Sequence, residues 1–230
     1  MRLGFISDIH GDLVSLEHGV RFLERKGVDV ILCLGDIVSF GPDPNGCVEL
    51  LRAKAIRSIA GNDDVAMIAP GEAPEPTSER LRQIHTINGW CRSSLTSESA
   101  SWLRGLDEEI RLSETLLGVH AAPGDNKRIV TSEMDKPFPA AVHIVCAGHL
   151  HVPFVSREHE KTWVNVGSVG SPTDGDARGS VSVVTATKGV WDAEIHRLDR
   201  PMDQILERIR LSGIPFADRL CETKVRATWW

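Results

Sequence analysis

Apolar residues recur along this chain in two rhythms that divide it near residue 106. In the first part, Arg2 to Ser7 is short and apolar and reads as a strand. Leu13, Leu16, Val20 and Leu23 then share one face of a helix over about 13–26, with Gly27 at its end. Val28 to Leu34 is apolar but for Asp29 near its start, as in a strand buried on both faces. A Gly/Pro-rich loop over 41–46 leads to a helix over about 47–54, and Ala55 to Ala60 forms a third strand. Strands and helices alternating at this spacing predict right-handed crossovers and a parallel sheet.

A proline-rich stretch over 70–76 breaks this pattern as an exposed loop. Thr77 or Ser78 is placed to cap a helix running toward Arg92, and Ser97 begins a short one ending near Gly105. This helical insert, 65–106, is a candidate lid over the strand ends. Beyond it the period shortens. Strands are expected at 109–112, 115–119, 143–147, 153–156, 161–166, 181–187 and 190–197, several joined by tight turns such as Lys188-Gly189. Residues 198–230 hold a helix over Met202 to Leu211 and a tail. In that tail Trp229 and Trp230 dock on the body or on a partner, a second copy included, or lie exposed. A parallel first half and a hairpin-rich second half suggest two packed sheets with helices outside, in a single domain over 1–230.

Composition narrows the class. The 230 residues are 41% hydrophobic and 25% charged, as in ordinary globular proteins. A net charge of -6 gives no support to a broad nucleic-acid surface. The five cysteines are odd in number and show no close pairing, which predicts a reduced, cytoplasmic chain. A charged residue, Asp8, comes too early for a secretory leader, and no apolar run approaches the ~18 residues of a membrane span.

The chemistry gathers at strand ends. Asp8 and His10 follow the first strand two residues apart, so they reach toward one point. Asp36 follows the second strand and Asn62 the third. His120 follows the strand ending at Val119, and Gly148-His149-Leu150-His151 follows the one ending at Ala147. In open α/β sheets the site lies beyond the carboxyl ends of the strands. Two Asp, one Asn and four His, with no thiolate, suit first-row divalent metals. Seven donors exceed what one ion takes, so two ions sharing a carboxylate is the economical arrangement, with Asp36 the bridge. His18, His85, His143, His159 and His196 fit no such pattern, and His85 lies on the candidate lid.

Taken in order, Asp8-Ile9-His10, Gly35-Asp36, Gly61-Asn62-Asp63-Asp64, His120 and Gly148-His149-Leu150-His151 resemble the calcineurin-like metallophosphoesterase superfamily over about residues 1–187. Gly41-Pro42-Asp43-Pro44 and the run from Asn165 to Pro172 resemble its small prokaryotic branch, YfcE-like and diadenosine tetraphosphatase-like. The resemblance implies a four-layer αββα sandwich and a dimetal phosphoesterase. One metal would take Asp8, His10, Asp36 and His151, and the other Asp36, Asn62, His120 and His149. Manganese is favoured, with iron, zinc, nickel and cobalt also suited. A bridging hydroxide between ions about 3.5–4 Å apart would attack a phosphomonoester or phosphodiester, nucleotides among them. Asn62 and His120 would stabilise the developing charge.

Two positions depart from the family pattern. Asp63 stands where the family commonly has a His that serves the leaving group, and cations would lower its pKa and make it a poor acid. Ala121-Ala122-Pro123 follows His120 where a Gly-Ser-Pro run is common. Lys127, Arg128 and Arg178, with the backbone amides of Gly167 and Ser168, are candidate substrate contacts. The rival readings are a non-catalytic protein-binding scaffold on the same fold and a nuclease. Seven intact donors weigh against the first, and the acidic balance against the second.

Overall fold

The computed structural model of the chain describes residues 1–68, 76–187 and 190–229. Most of the proline-rich stretch, the Lys188-Gly189 turn and Trp230 lie outside the described residues. In chain order the first part comprises β1 (Arg2–Ile6), α1 (Leu13–Arg25), β2 (Val30–Cys33), α2 (Pro44–Ala53) and β3 (Arg57–Ser58). It continues through α3 (Asn62–Ile68), α4 (Glu79–Ser94) and α5 (Ser97–Arg104). The second part comprises β4 (Glu109–Arg111), β5 (Leu116–Val119), β6 (Ile144–Ala147), β7 (Phe154–Glu158) and β8 (Lys161–Asn165). Then come β9 (Gly179–Thr187), β10 (Val190–Leu198), α6 (Met202–Leu211) and α7 (Ala217–Arg226).

The strands form two five-stranded mixed sheets, ordered β10-β9-β1-β2-β3 and β4-β5-β6-β8-β7. In the first, β1, β2 and β3 run parallel, and β9 returns antiparallel against β1 with Leu3 opposite Val184. In the second, β5, β6 and β8 run parallel. Alternation along each strand sends one set of side chains between the sheets. Leu3, Phe5, Leu32 and Leu34 meet Leu116, Ile144, Cys146 and Val164 there. The opposite set from the first sheet, including Ile6, Cys33 and Val183, packs on helix residues such as Leu16, Val20, Val48 and Leu51.

The expected arrangement of two packed sheets with helices outside is the one observed, and its two covers differ in kind. The seven helices among the described residues lie on the side of the first sheet, with α6 and α7 packed beside α1 and α4. On the second sheet, Leu117, Val119, Val145 and Trp163 are covered by Ala122, Val130, Phe138 and Val142 from turns over 121–142. Within the 65–106 insert, α4 and α5 also belong to the helical layer, where Cys91 and Leu103 are fully buried. No helix among the described residues is long and apolar enough to cross a membrane.

Several boundaries differ from the sequence expectation. α2 starts at Pro44, because a proline fits the first helical turn where no N–H is needed. The third strand has only two ladder residues, and Asn62 opens α3 where a plain turn was expected. The tail folds into α7, whose buried face is Leu220, Cys221 and Lys224. All five cysteines are free and buried.

Trp163 is the largest side chain fully buried, edge-on to Phe138 at 5.8 Å. Trp163→Ala is expected to cost about 3–5 kcal/mol of unfolding free energy, measured by denaturant titration. A loss below ~1 kcal/mol would mean that the turn-built cover adds little to stability.

Candidate metal centre

The first sheet continues its ladder past the strand ends. Asp8 N–H donates to the Gly35 carbonyl (3.0 Å), His10 N–H to Asp36 (2.9 Å) and Gly11 N–H to Ile37 (2.9 Å). Within this register, Asp8, His10 and Asp36 have φ of 53°, 49° and 50°, and His149 and His151 have 64° and 62°. Such left-handed backbone costs a residue with a Cβ about 1–2 kcal/mol, so the surrounding structure must enforce it. Asp64 is one enforcer. Fully buried, it accepts from the N–H groups of Ile37 (2.9 Å), Val38 (3.0 Å) and Gly61 (2.9 Å). Two glycines permit the close approach. A Cβ on Gly61 would fall on the Asp36 carboxylate, and one on Gly148 would fall on Ser7 Oγ and Asp8 Oδ2.

The donors converge in two groups that share Asp36. Ligand atoms of Asp8, His10, Asp36 and His151 all lie within 4.8 Å of one another, as do those of Asp36, His120 and His149. In the first group His151 Nε2 is 3.2 Å from Asp8 Oδ1, and His10 Nε2 is 3.7 Å from Asp36 Oδ2. In the second, His120 Nε2 is 3.4 Å from Asp36 Oδ2 and 3.0 Å from Asn62 Oδ1. The outer nitrogens orient the rings. His120 Nδ1–H donates to the Leu34 carbonyl (2.8 Å) and His151 Nδ1–H to Ser171 (2.5 Å), leaving each Nε2 aimed into the cluster. His149 N–H donates to Asp8 Oδ2 at 3.0 Å, tying the two sheets' loops together.

Burial and mutual charge set the protonation states. Burial pushes the pKa of His10 down to about 3, so this ring is neutral despite Asp36 beside it. Burial also opposes charge on His120, but the Asp36 carboxylate prevails and raises it to about 10. Burial likewise disfavours charge on Asp8 and Asp36, yet His151 holds Asp8 below the carboxylate range and His120 does the same for Asp36. A divalent ion fits this set. The Nε2 atoms of His10 and His151 face each other at 3.1 Å, and His10 Nδ1 is buried with no hydrogen-bond partner.

The remaining candidates fall in different places. Asp63 donates its N–H to Asp36 Oδ1 (2.9 Å), and its Oδ2 lies 3.8 Å from His10 Nδ1. In the protein alone, burial and the charges of Asp36 and Asp64 push its pKa well up, so the lowering expected from the sequence requires bound cations. Gly167 and Ser168 are buried and face inward: Gly167 N–H donates to Asn165 Oδ1, and Ser168 Oγ donates to the Asp8 carbonyl at 2.6 Å. Ser168 thus holds the Asp8 backbone, and Gly167 is tied to Asn165. Arg178, the expected substrate contact, is exposed and paired with Asp176 at 2.7 Å. Lys127 and Arg128 are exposed, and the Lys127 carbonyl lies 3.2 Å from His149 Nε2. His85 is exposed on α4.

Contacts of Phe40, Trp229, Asp12 and Lys224 escaped the sequence reading. Phe40 stands edge-on to His10 at 6.0 Å, and Trp229 lies against His151 at 4.6 Å between ring centroids. Asp12 caps α1 through Ser15 N–H and lies 3.6 Å from both Arg200 and Lys224. Lys224 Nζ in turn donates to the Gly170 carbonyl (2.6 Å) and Ser171 Oγ (2.7 Å). The spacing of Asp12 from the site motif was visible, but its partners lie about 190–210 residues away, beyond any local pattern.

A two-sheet sandwich with Asp, Asn and His donors gathered at its strand ends is the architecture of metal-assisted hydrolases acting on phosphate esters. The chain belongs to the calcineurin-like phosphoesterase superfamily, whose domain matches residues 1–189. It is 28% identical over 235 residues to an uncharacterized protein of Methanocaldococcus jannaschii, covering 93% of each. It is 25% identical to the phosphodiesterase YfcE of Escherichia coli over 188 residues, 76% of this chain and 83% of that one. A metallophosphoesterase structure from Sphaerobacter thermophilus superimposes with a TM-score of 0.79 at 26% identity, over 99% of each chain.

A proton on His120 at neutral pH competes with a metal for Nε2. Its pKa of about 10 lies above pH 7, so raising the pH removes the competitor and tightens metal binding. Manganese or zinc added to metal-stripped protein at pH 7 is expected to release protons, read in weakly buffered solution, with His120→Asn releasing about one fewer than the wild-type chain. Metal uptake without proton release would contradict this.

Proposed function

We propose that the chain is a divalent-metal-dependent phosphoric ester hydrolase acting on a phosphomonoester or phosphodiester. The observation that carries this reading is the position of Asp36, whose carboxylate belongs to both donor groups. Asp8, His10, Asp36 and His151 would hold one ion, and Asp36, Asn62, His120 and His149 a second, manganese being favoured. Such ions supply Lewis acidity toward phosphoryl oxygens and a water acidified toward neutrality.

The chain's own residues do the rest. The Leu34 and Ser171 carbonyls fix the tautomers of His120 and His151, so the cluster needs no reorganisation when it binds. Asn62, whose Nδ2 donates to Asp63 Oδ1 at 2.8 Å, is placed at the edge of the second group to meet developing negative charge on the phosphoryl group, and His120, 3.0 Å from Asn62 Oδ1, would act through the ion it holds. Asn62 is half-buried while Asp8, His10 and Asp36 are fully buried, so the second group is the side open to an ester. Asp63 touches Asp36 and Asn62 but is a carboxylate, and next to cations it is a weak proton donor to a leaving group. Esters with activated leaving groups are therefore the favoured laboratory substrates.

Purified protein with added manganese is expected to hydrolyse bis(4-nitrophenyl) phosphate or 4-nitrophenyl phosphate, and Asp36→Asn to lower both turnover and metal content by about a hundredfold or more. Intact metal content and turnover in that variant would refute the assignment. Asp63→His is expected to speed hydrolysis of esters with poor leaving groups by about tenfold or more, and of nitrophenyl esters far less. Equal gains on both would show that this position does not serve the leaving group.

A further inference from the structure

The matched domain ends at residue 189, yet the segment after it reaches back to the donor cluster. α7 ends at Arg226 and is capped by Ala227, whose φ of 50° turns the chain. Gly175 N–H donates to the Ala227 carbonyl (3.0 Å) and Thr228 N–H to Thr223 (3.3 Å), fixing the turn. It delivers the Trp229 indole onto the His151 imidazole at 4.6 Å and 36°. One part of the indole is thereby covered, but 51% of Trp229 remains exposed beside the cluster. On the same side Ser39 and Phe40 both have positive φ, 83° and 56°. Ser39 is held there by Cys91 Sγ and Asn88 Oδ1, and Phe40 is thereby presented to His10. Strained backbone that is held by its neighbours and presents a side chain to a site is a sign of use. Phe40 and Trp229 also border one cavity of about 30 Å³ with Thr173, Thr223 and Lys224. That space admits water but no ring, so an aromatic ligand must use the outward part of the indole.

We infer that Trp229, backed by Phe40, is a stacking platform for the base of a nucleoside phosphate ester bound at the donor cluster. The inference rests on the phosphoester reading and names its substrate class. An exposed indole next to buried imidazoles and carboxylates offers a π-face to a base while the phosphate meets the cations. Any base has such a face, so the platform selects nucleoside over simple alkyl or sugar phosphates without selecting one base.

The test compares adenosine 5′-monophosphate with ribose 5-phosphate, which share sugar and phosphate and differ by the base. Calorimetry on the manganese-loaded full chain is expected to give at least about fivefold tighter binding of the nucleotide, the low end of one aromatic stack. Trp229→Leu, which keeps bulk against His151, is expected to bring the two within about twofold, and Trp229→Phe to keep the preference. Trp229→Ala gives a second removal of the ring should the leucine variant fail to fold. No base preference in the wild-type chain, binding of neither ligand, or a preference that survives loss of the ring would overturn the inference. A base preference in a chain that hydrolyses no ester would support the platform and refute the hydrolase reading.

Discussion

One carboxylate, that of Asp36, lies between His10 on one side and His120 on the other, in a pocket almost closed to water. Burying such a charge is unfavourable unless partners surround it. Here the partners are imidazoles and the N–H of Asp63, with Asp8 and His151 close by. The group is tense in the chemist's sense. Two acids and four histidines press together, His10 neutral and His120 charged, with a histidine nitrogen left without a partner. A soft arrangement of loops would relax by swinging these side chains outward. The rigidity of what lies beneath prevents it.

That rigidity comes from the sheets. The loops after β1 and β2 remain hydrogen-bonded to one another as if they were still strands, so Asp8, His10 and Asp36 move together. The second sheet joins them through its own strand ends. The His120 ring bonds the Leu34 carbonyl of the first sheet, and the His149 N–H bonds the Asp8 carboxylate. The apolar layer between the sheets, Phe5 and Leu34 against Leu116 and Cys146, sets how close these ends come. Gly61 and Gly148 are needed because any side chain there would occupy the space of a ligand's own atoms. The site is thus a product of sheet packing, and its strained backbone is borne by the core.

Much of this was legible from strand-end chemistry. Asp8, His10, Asp36, Asn62, His120, His149 and His151 each follow an apolar run, and the structure brings them together. The rest was not legible for definite reasons. Ser168 and Gly167 looked like surface amides, but whether a Gly/Ser turn faces in or out depends on what packs behind it, here Asp8 and Asn165. Arg178 was a charge in a loop, and an acid two residues earlier claims it. Asp64 read as one more acid in a run, although its three backbone partners give it the most structural role of the four residues from Gly61 to Asp64. Trp229 and Lys224 were beyond local inference because nothing in a helix face of Leu220, Cys221 and Lys224 states where the helix docks.

The docking of α7 carries a consequence for how the molecule comes apart. Lys224 and Arg200 are buried against Asp12, and Lys224 also holds the loop whose Ser171 carbonyl orients His151. Detaching α7 would leave Asp12 with Arg200 alone of these two cations and release that loop at once, so fraying from this end also loosens the floor beneath His151. The last helix therefore behaves as a keystone: amide protons in α7 and in residues 167–171 belong to one cooperative unit, and a cleft whose donors all precede α6 keeps its shape only while the final segment stays home.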